Sequence, residues 1–407
     1  MPLSKFSAIR QGTLNRFYTR RSVGDLLTDQ LAHLNPSSVI DLGAGGGSLS
    51  ISTANFWPNA DILTVDLDAN CISPLHLNIM NAGAASHRHK VHDVFDPALP
   101  KALGQSNFFD LAVCNPPFFR PDWRRDFARI LQDANLADAC PSTSDASAEV
   151  IFLAQNLRLV KDGGAIAMIV PDGMMTGWKT KPLRRTLIAQ HRIDCVVQLP
   201  PNSFHDTEAR CFVLFLTKRG GQAERVKLLR YDVAAGLSDP LYVSADEAEQ
   251  RLDYDYHVAN QCQGKRVVTL RELGADIQRG SVSSVEARAA DFPIFHTSDY
   301  TSLTDGEVRL ESLMPAVRGK RLITVAPGDI LMARVDRKLH EKVAIVVSGE
   351  AALTDCVYRV RLPKETQQLA FSALRSLEGA SKLLAISKGV SARLLGKADL
   401  LDMPLTV

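Results

Sequence analysis

Between residues 38 and 218, short runs of β-branched and aliphatic side chains alternate with stretches whose apolar residues recur at helical spacing. That alternation constrains the chain severely, because parallel strands need long crossovers and the intervening segments are long enough to be helices. SSVIDLG (37–43) reads as a first strand running into glycines, ADILTVDLD (60–68) as a second, HKVHDVFD (89–96) as a third and FFDLAVCNPPF (108–118) as a fourth. AIAMIVP (165–171), IDCVVQLP (193–200) and ARCFVLFLTK (209–218) follow, with helices expected over 22–34, 148–161 and 181–191. The expected fold class is therefore α/β, a doubly wound, mostly parallel sheet covered on both faces.

Beyond residue 265 the pattern changes to short strands punctuated by turns, with a helix expected over 367–379, as in an α+β domain. Charge marks the boundary: residues 231–264 carry seven acidic side chains against Arg251 alone, while the blocks on either side each sum to +4. The expected organisation is a first domain over 1–230, an acidic linker over 231–264 and a second domain over 265–407. Hydrophobic residues at 45% and charged residues at 23% exclude a disordered or collagenous chain. No apolar run reaches the roughly 18 residues of a membrane span, and the N-terminus lacks the pattern of a signal peptide. Seven scattered cysteines without CxxC spacing read as reduced thiols, so a cytoplasmic location is expected. The histidines show no HxxxH or HExxH spacing, and no metal is expected.

Asp41-Leu42-Gly43-Ala44-Gly45-Gly46-Gly47 stands directly after a strand and before a helix. Glycines there let the backbone turn sharply and approach a ligand at the carboxyl edge of the sheet. Asp66 closes the second strand, where a carboxylate can bond ribose hydroxyls. A dinucleotide fingerprint would need glycine at position 48, which is Ser48. The extra acid of DxGxGxG suits the cationic groups of S-adenosylmethionine better than a pyrophosphate.

Asn115-Pro116-Pro117-Phe118 follows the fourth strand at the same edge, and two prolines make it a rigid loop. The Asn115 side-chain oxygen and the Pro116 carbonyl can both accept hydrogen bonds from one amino group. An exocyclic base amine is a poor nucleophile, because its lone pair is delocalised into the ring. Two acceptors draw its hydrogens toward tetrahedral geometry and localise that pair for attack on a methyl sulfonium. Phe118 offers a flat face to a base taken out of its stack.

DLGAGGG, VDLD, HDVFD and NPPF, in that order, resemble the N6-adenine DNA methyltransferases of prokaryotes, and residues 15–218 resemble the modification subunit of type I restriction-modification systems. The resemblance implies a Rossmann-like, S-adenosylmethionine-dependent methyltransferase. In it Asn15-Arg16-Phe17-Tyr18-Thr19 would close over the methionine part of the cofactor, with Tyr18 and Thr19 as contacts. It further implies that Asp41 anchors the methionine end, with Gly43 and Gly45 of the turn also binding the cofactor, that Asp93 bonds the cofactor's adenine amino group, and that Phe204 of LPPNSF stacks on the flipped adenine. The family's long helical N-terminal domain is not expected, since about fourteen residues precede the Asn15 motif.

RVVTLRELGADIQRGS, VAPGDILMARVD and GVSARLLGKADLLDMPL resemble one target-recognition domain of a type I specificity subunit. Such a domain would read a short asymmetric site in double-stranded DNA, or a homodimer would pair two; a restriction nuclease would act in trans. Arg120 and Arg124, after the catalytic loop, and Arg334 and Lys338, in the second domain, are the expected DNA contacts. A methyltransferase of RNA or of protein glutamine, which also uses an NPP-aromatic loop, stays open on the residues alone. So does a DNA-binding module that no longer turns over.

Overall fold

The computed structural model describes residues 20–69, 72–104, 108–140, 146–201, 203–204, 210–261, 267–290, 292–303, 305–310, 322–389 and 392–407. Two compact units divide the chain, Met1–Tyr254 and Asp255–Val407. The first begins α1 (Arg21–Gln30), β1 (Ser38–Leu42), α2 (Ser48–Phe56), β2 (Asp61–Asp66), α3 (Ile72–Asn81), β3 (Ser86–Val91), α4 (Leu99–Ala102) and β4 (Phe109–Cys114). It continues through α5 (Asp126–Asp133), α6 (Ala148–Leu159), β5 (Val160–Pro171), α7 (Asp172–Thr176), α8 (Lys181–Gln190), β6 (Arg192–Gln198) and β7 (Cys211–Thr217). β8 (Arg225–Asp232), β9 (Gly236–Leu237), β10 (Leu241–Ser244) and α9 (Ala245–Gln250) close it.

These strands form one sheet in the order β10-β8-β6-β7-β5-β4-β1-β2-β3, with β9 on β8. β1 pairs in parallel with both β2 and β4, so Asp41 lies between Thr64 and Val113. β7 is antiparallel to both of its neighbours, β5 and β6, and β9 and β10 are antiparallel to β8. Strand alternation sends Ile40, Leu42 and Ala112 into one apolar layer, with α5 and α6. Val39, Leu111 and Val113 enter the other, with α1, α2 and α3. Both faces are buried, as near-continuous apolar strands require.

Three expectations shift. The third strand is Ser86–Val91 instead of 89–96. As an edge strand it exposes Arg88 and Lys90 and carries no apolar run, whereas Val94 and Phe95 reach the core from a turn closed by the Asp93 carboxylate (Phe95 N–H to Oδ1, 2.8 Å). The acidic stretch, expected as a linker, contributes β10 and α9 to the first unit. There the buried Arg184 of α8 donates to the Glu249 and Gln250 carbonyls at 2.9 and 2.6 Å, and Asp253 is fully buried against Arg251 at 2.8 Å. The expected helix over 367–379 is two helices, Lys364–Arg375 and Leu377–Ile386, with Ser376 capping the second.

The second unit is mixed α and β. A five-stranded sheet runs Asp276–Arg279, Val357–Arg361, Ile330–Ala333, Val343–Ser348, Glu307–Arg309. Beside it Ile294–Phe295, Ala351–Leu353 and Thr324–Val325 form a smaller sheet. Among the described residues no helix is long and apolar enough to cross a membrane.

Candidate cofactor and target-base site

The glycine turn after β1 divides its work. Gly43, Gly45 and Gly47 have φ of 75°, 50° and 77°, a region that side chains with a Cβ rarely adopt. A Cβ on Gly47 would lie 2.0 Å from Leu75, and one on Gly43 would lie 3.0 Å from the Phe152 ring. Both serve packing. A Cβ on Gly45 would meet nothing within 4 Å, so the space over the middle of the turn is open. The turn lies across the end of β2: the Gly43 N–H donates to the Val65 carbonyl at 2.8 Å, and the Gly45 N–H to Asp66 Oδ2 at 2.8 Å. Asp66 Oδ1 accepts the Asp68 N–H at 2.9 Å, which fixes the carboxylate at the rim.

Asp41 is 2% exposed and accepts a 2.6 Å hydrogen bond from Ser50 of α2. Burial pushes its carboxyl up to about 7, and the nearby Asp66 charge adds to the rise. A cationic ligand at the open turn would relieve that repulsion, so the donor set fits the sulfonium and ammonium of the expected cofactor.

From β4, next to β1, Asn115-Pro116-Pro117-Phe118 emerges at the same edge. Below it the Cys114 thiol donates to the Leu42 carbonyl at 3.2 Å, tying the ends of β1 and β4. The loop then meets α6, whose Ala148 N–H donates to the Phe119 carbonyl at 3.0 Å. Phe95 joins the parts: its ring packs on Phe119, Phe127 and Phe152 with centroids 5.6–6.0 Å apart. One aromatic cluster thus connects the glycine turn, the Asp93 turn and the Asn115 loop. Phe95 and Phe152 were not singled out from the sequence, where each reads as ordinary core.

The expected residues fare differently. Asn115 and Phe118 are partly exposed, and Phe118 packs on the apolar layer that also holds Phe204. Phe204 itself is 2% exposed, so no face of its ring is presented to a base; its neighbours in that layer include Leu199 and Cys211. Tyr18 and Thr19 lie outside the described residues. Arg124, expected on DNA phosphates, is engaged within the protein: Nη1 on Asp93 at 3.2 Å, Nη2 on the Phe95 carbonyl at 2.7 Å, and Nε on Asp126 at 3.2 Å. Arg120 is exposed. In the second unit Arg334 Nε donates to the Asp355 carbonyl at 2.6 Å, while Lys338 is exposed, 3.6 Å from Glu341. Among the described residues no three His, Cys, Asp or Glu side chains are grouped to hold a metal ion.

Comparison with known proteins agrees with this architecture. The type II methyltransferase M.XamI of Xanthomonas campestris pv. amaranthicola is 25% identical over 210 residues, 48% of this chain and 38% of that protein. The methylase subunit of the type I restriction enzyme MpnII of Mycoplasma pneumoniae is 28% identical over 114 residues, 28% of this chain and 21% of that protein. The chain thus spans about two fifths or less of either relative. Proteins that methylate tRNA adenine and release-factor glutamine also match, over 23% and 37% of this chain. The crystal structure of the type IIG restriction endonuclease BpuSI superposes over 96% of this chain and 58% of that one, with a TM-score of 0.53 at 15% identity, a likeness of fold. The family model described as N-6 DNA Methylase matches residues 2–239, more than half of the sequence, and the chain belongs to that family.

Proposed function

We propose that the chain methylates the N6 amino group of adenine in double-stranded DNA with S-adenosylmethionine, within a restriction-modification system. One observation carries the reading: the glycine turn and the Asn115 loop leave neighbouring parallel strands at the same edge of the sheet. Ligands of open α/β sheets bind at that edge. The restriction methylases among the relatives support DNA as substrate.

When bound, S-adenosylmethionine supplies a methyl group on a cationic sulfur. Asp66, already oriented by two backbone N–H groups, bonds the ribose hydroxyls. Asp41 places negative charge beneath the turn, and Asp93 accepts from the cofactor's adenine amino group. Asn115 Oδ1 and the Pro116 carbonyl accept the hydrogens of the target amine, and Phe118 stacks on the flipped base. The rigid loop makes these acceptors preorganised, so catalysis is positioning and electrostatics with no covalent enzyme intermediate. The second unit, in this reading, recognises the DNA sequence, with Lys338 on its exposed surface.

Transfer of labelled methyl groups to DNA, RNA and protein substrates, followed by base-resolved mapping, tests the proposal. Label as N6-methyladenine in a fixed short sequence is expected. Label in tRNA or in a release factor overturns the DNA reading in favour of the other relatives' substrates. Cofactor binding with no transfer to any substrate favours a binding module.

A further inference from the structure

The Asp93 carboxylate is held from two sides. Its Oδ1 accepts the Phe95 N–H at 2.8 Å, and its Oδ2 faces Arg124 Nη1 at 3.2 Å. Arg124 has little freedom of its own. Asp126 takes Nε and Nη2 at 3.2 and 3.1 Å, the Phe95 carbonyl takes Nη2 at 2.7 Å, and the guanidinium carbon lies 5.1 Å from the centre of the Phe127 ring. A guanidinium fixed by a bidentate carboxylate and stacked on an aromatic face is preorganised, so it costs little entropy to hold a second carboxylate. Arg124 also stands in the segment between the Asn115 loop and α5, so the clamp on Asp93 comes from the target-base side of the site.

We propose that Arg124 is a positioning residue for the cofactor, clamping the Asp93 carboxylate in place as a hydrogen-bond acceptor so that the site selects a 6-amino purine. This rests on the assignment of Asp93 to the cofactor's adenine. A carboxylate can only accept hydrogen bonds. It therefore favours the exocyclic amine of adenine and opposes the 6-oxo group of hypoxanthine, whose oxygen would meet it lone pair to lone pair. Sites built to hydrogen-bond one group reject the analogue that lacks it far more strongly than apolar pockets do.

The test compares the affinities of S-adenosylhomocysteine and S-inosylhomocysteine for the full chain by calorimetry, with DNA affinity measured in parallel. Wild type is expected to prefer the amino form. Arg124→Ala should weaken S-adenosylhomocysteine about tenfold, as for loss of one charge-assisted hydrogen bond, and shrink the preference, with DNA affinity unchanged. Arg124→Lys should restore part of the preference, and thermal unfolding checks that both variants fold. An unchanged preference in Arg124→Ala together with weaker, less salt-dependent DNA binding would make Arg124 a phosphate contact and overturn the proposal. Tighter S-adenosylhomocysteine binding in Arg124→Ala would overturn it too, by showing that the arginine occludes the site. Asp93→Asn separates the two layers of the argument. If it keeps full preference, the Asp93 assignment fails; if it loses the preference while Arg124→Ala keeps it, only the role of Arg124 fails.

Discussion

At the residue scale the most consequential group is Asp41, whose carboxyl is raised to about 7 by burial and by the Asp66 charge. A folded-state value above the unfolded value of 3.8 means that the folded chain holds its proton more tightly. Its contribution to stability is then fully present below about pH 4 and is lost as pH rises through about 7. His87 and His191 act in the opposite sense, since burial and cationic or imidazole neighbours hold both near 4. The clean measurement is therefore a difference: Asp41→Asn should flatten the fall in melting temperature of the ligand-free protein between pH 5 and pH 8. Parallel wild-type and variant curves would show that Asp41 does not titrate there. At the reacting end, Asn115→Ala should cut the methyl-transfer rate by about a hundredfold or more, as for other preorganised polar groups that act on the reacting atoms, with S-adenosylhomocysteine affinity kept. Equal loss of binding and rate would make the loop structural.

At the element scale the glycine turn separates fold from ligand. Gly47→Ala must place a Cβ in a left-handed conformation and against Leu75, which should cost about 2–4 kcal/mol of stability in denaturant unfolding. Gly45→Ala carries only the conformational cost, about 1–2 kcal/mol, because nothing lies within 4 Å of the new carbon. That open space is where the cofactor is proposed to sit, so its main effect should be on cofactor affinity. Similar affinity losses in the two variants, after correction for the folded fraction, would show that the turn has no ligand side. The turn itself was legible in the residues, because clustered glycine after a strand and before a helix has few other uses. The third strand was not. Its inward side chains are His87 and His89, and an edge strand lined with polar groups lacks the periodicity that sequence reading depends on.

At the scale of the whole molecule the division lies at Tyr254, and the acidic charge that suggested a linker sits largely on α9 and in the connections before β10 and after α9. Acidic side chains on the exposed side of a helix report solvent, and they do not tell whether the other side is docked. A chain ending at Tyr254 is expected to keep S-adenosylhomocysteine binding and to lose site-specific DNA methylation, measured by base-resolved mapping. Site-specific methylation surviving that truncation would remove the second unit from DNA recognition.

The sequence by itself determined the alternation of strands and helices, the glycine turn at Gly43–Gly47 and the rigid loop at Asn115, because positive φ and the missing proline N–H are properties of single residues and their neighbours. Only the tertiary structure decided that β4 lies beside β1, that Arg124 clamps Asp93 thirty-one positions away, and that Phe204 is folded into the apolar layer. An arginine or a phenylalanine has the same composition whether it faces DNA, a base or its own core; which partner it meets is set by strand order and long-range packing.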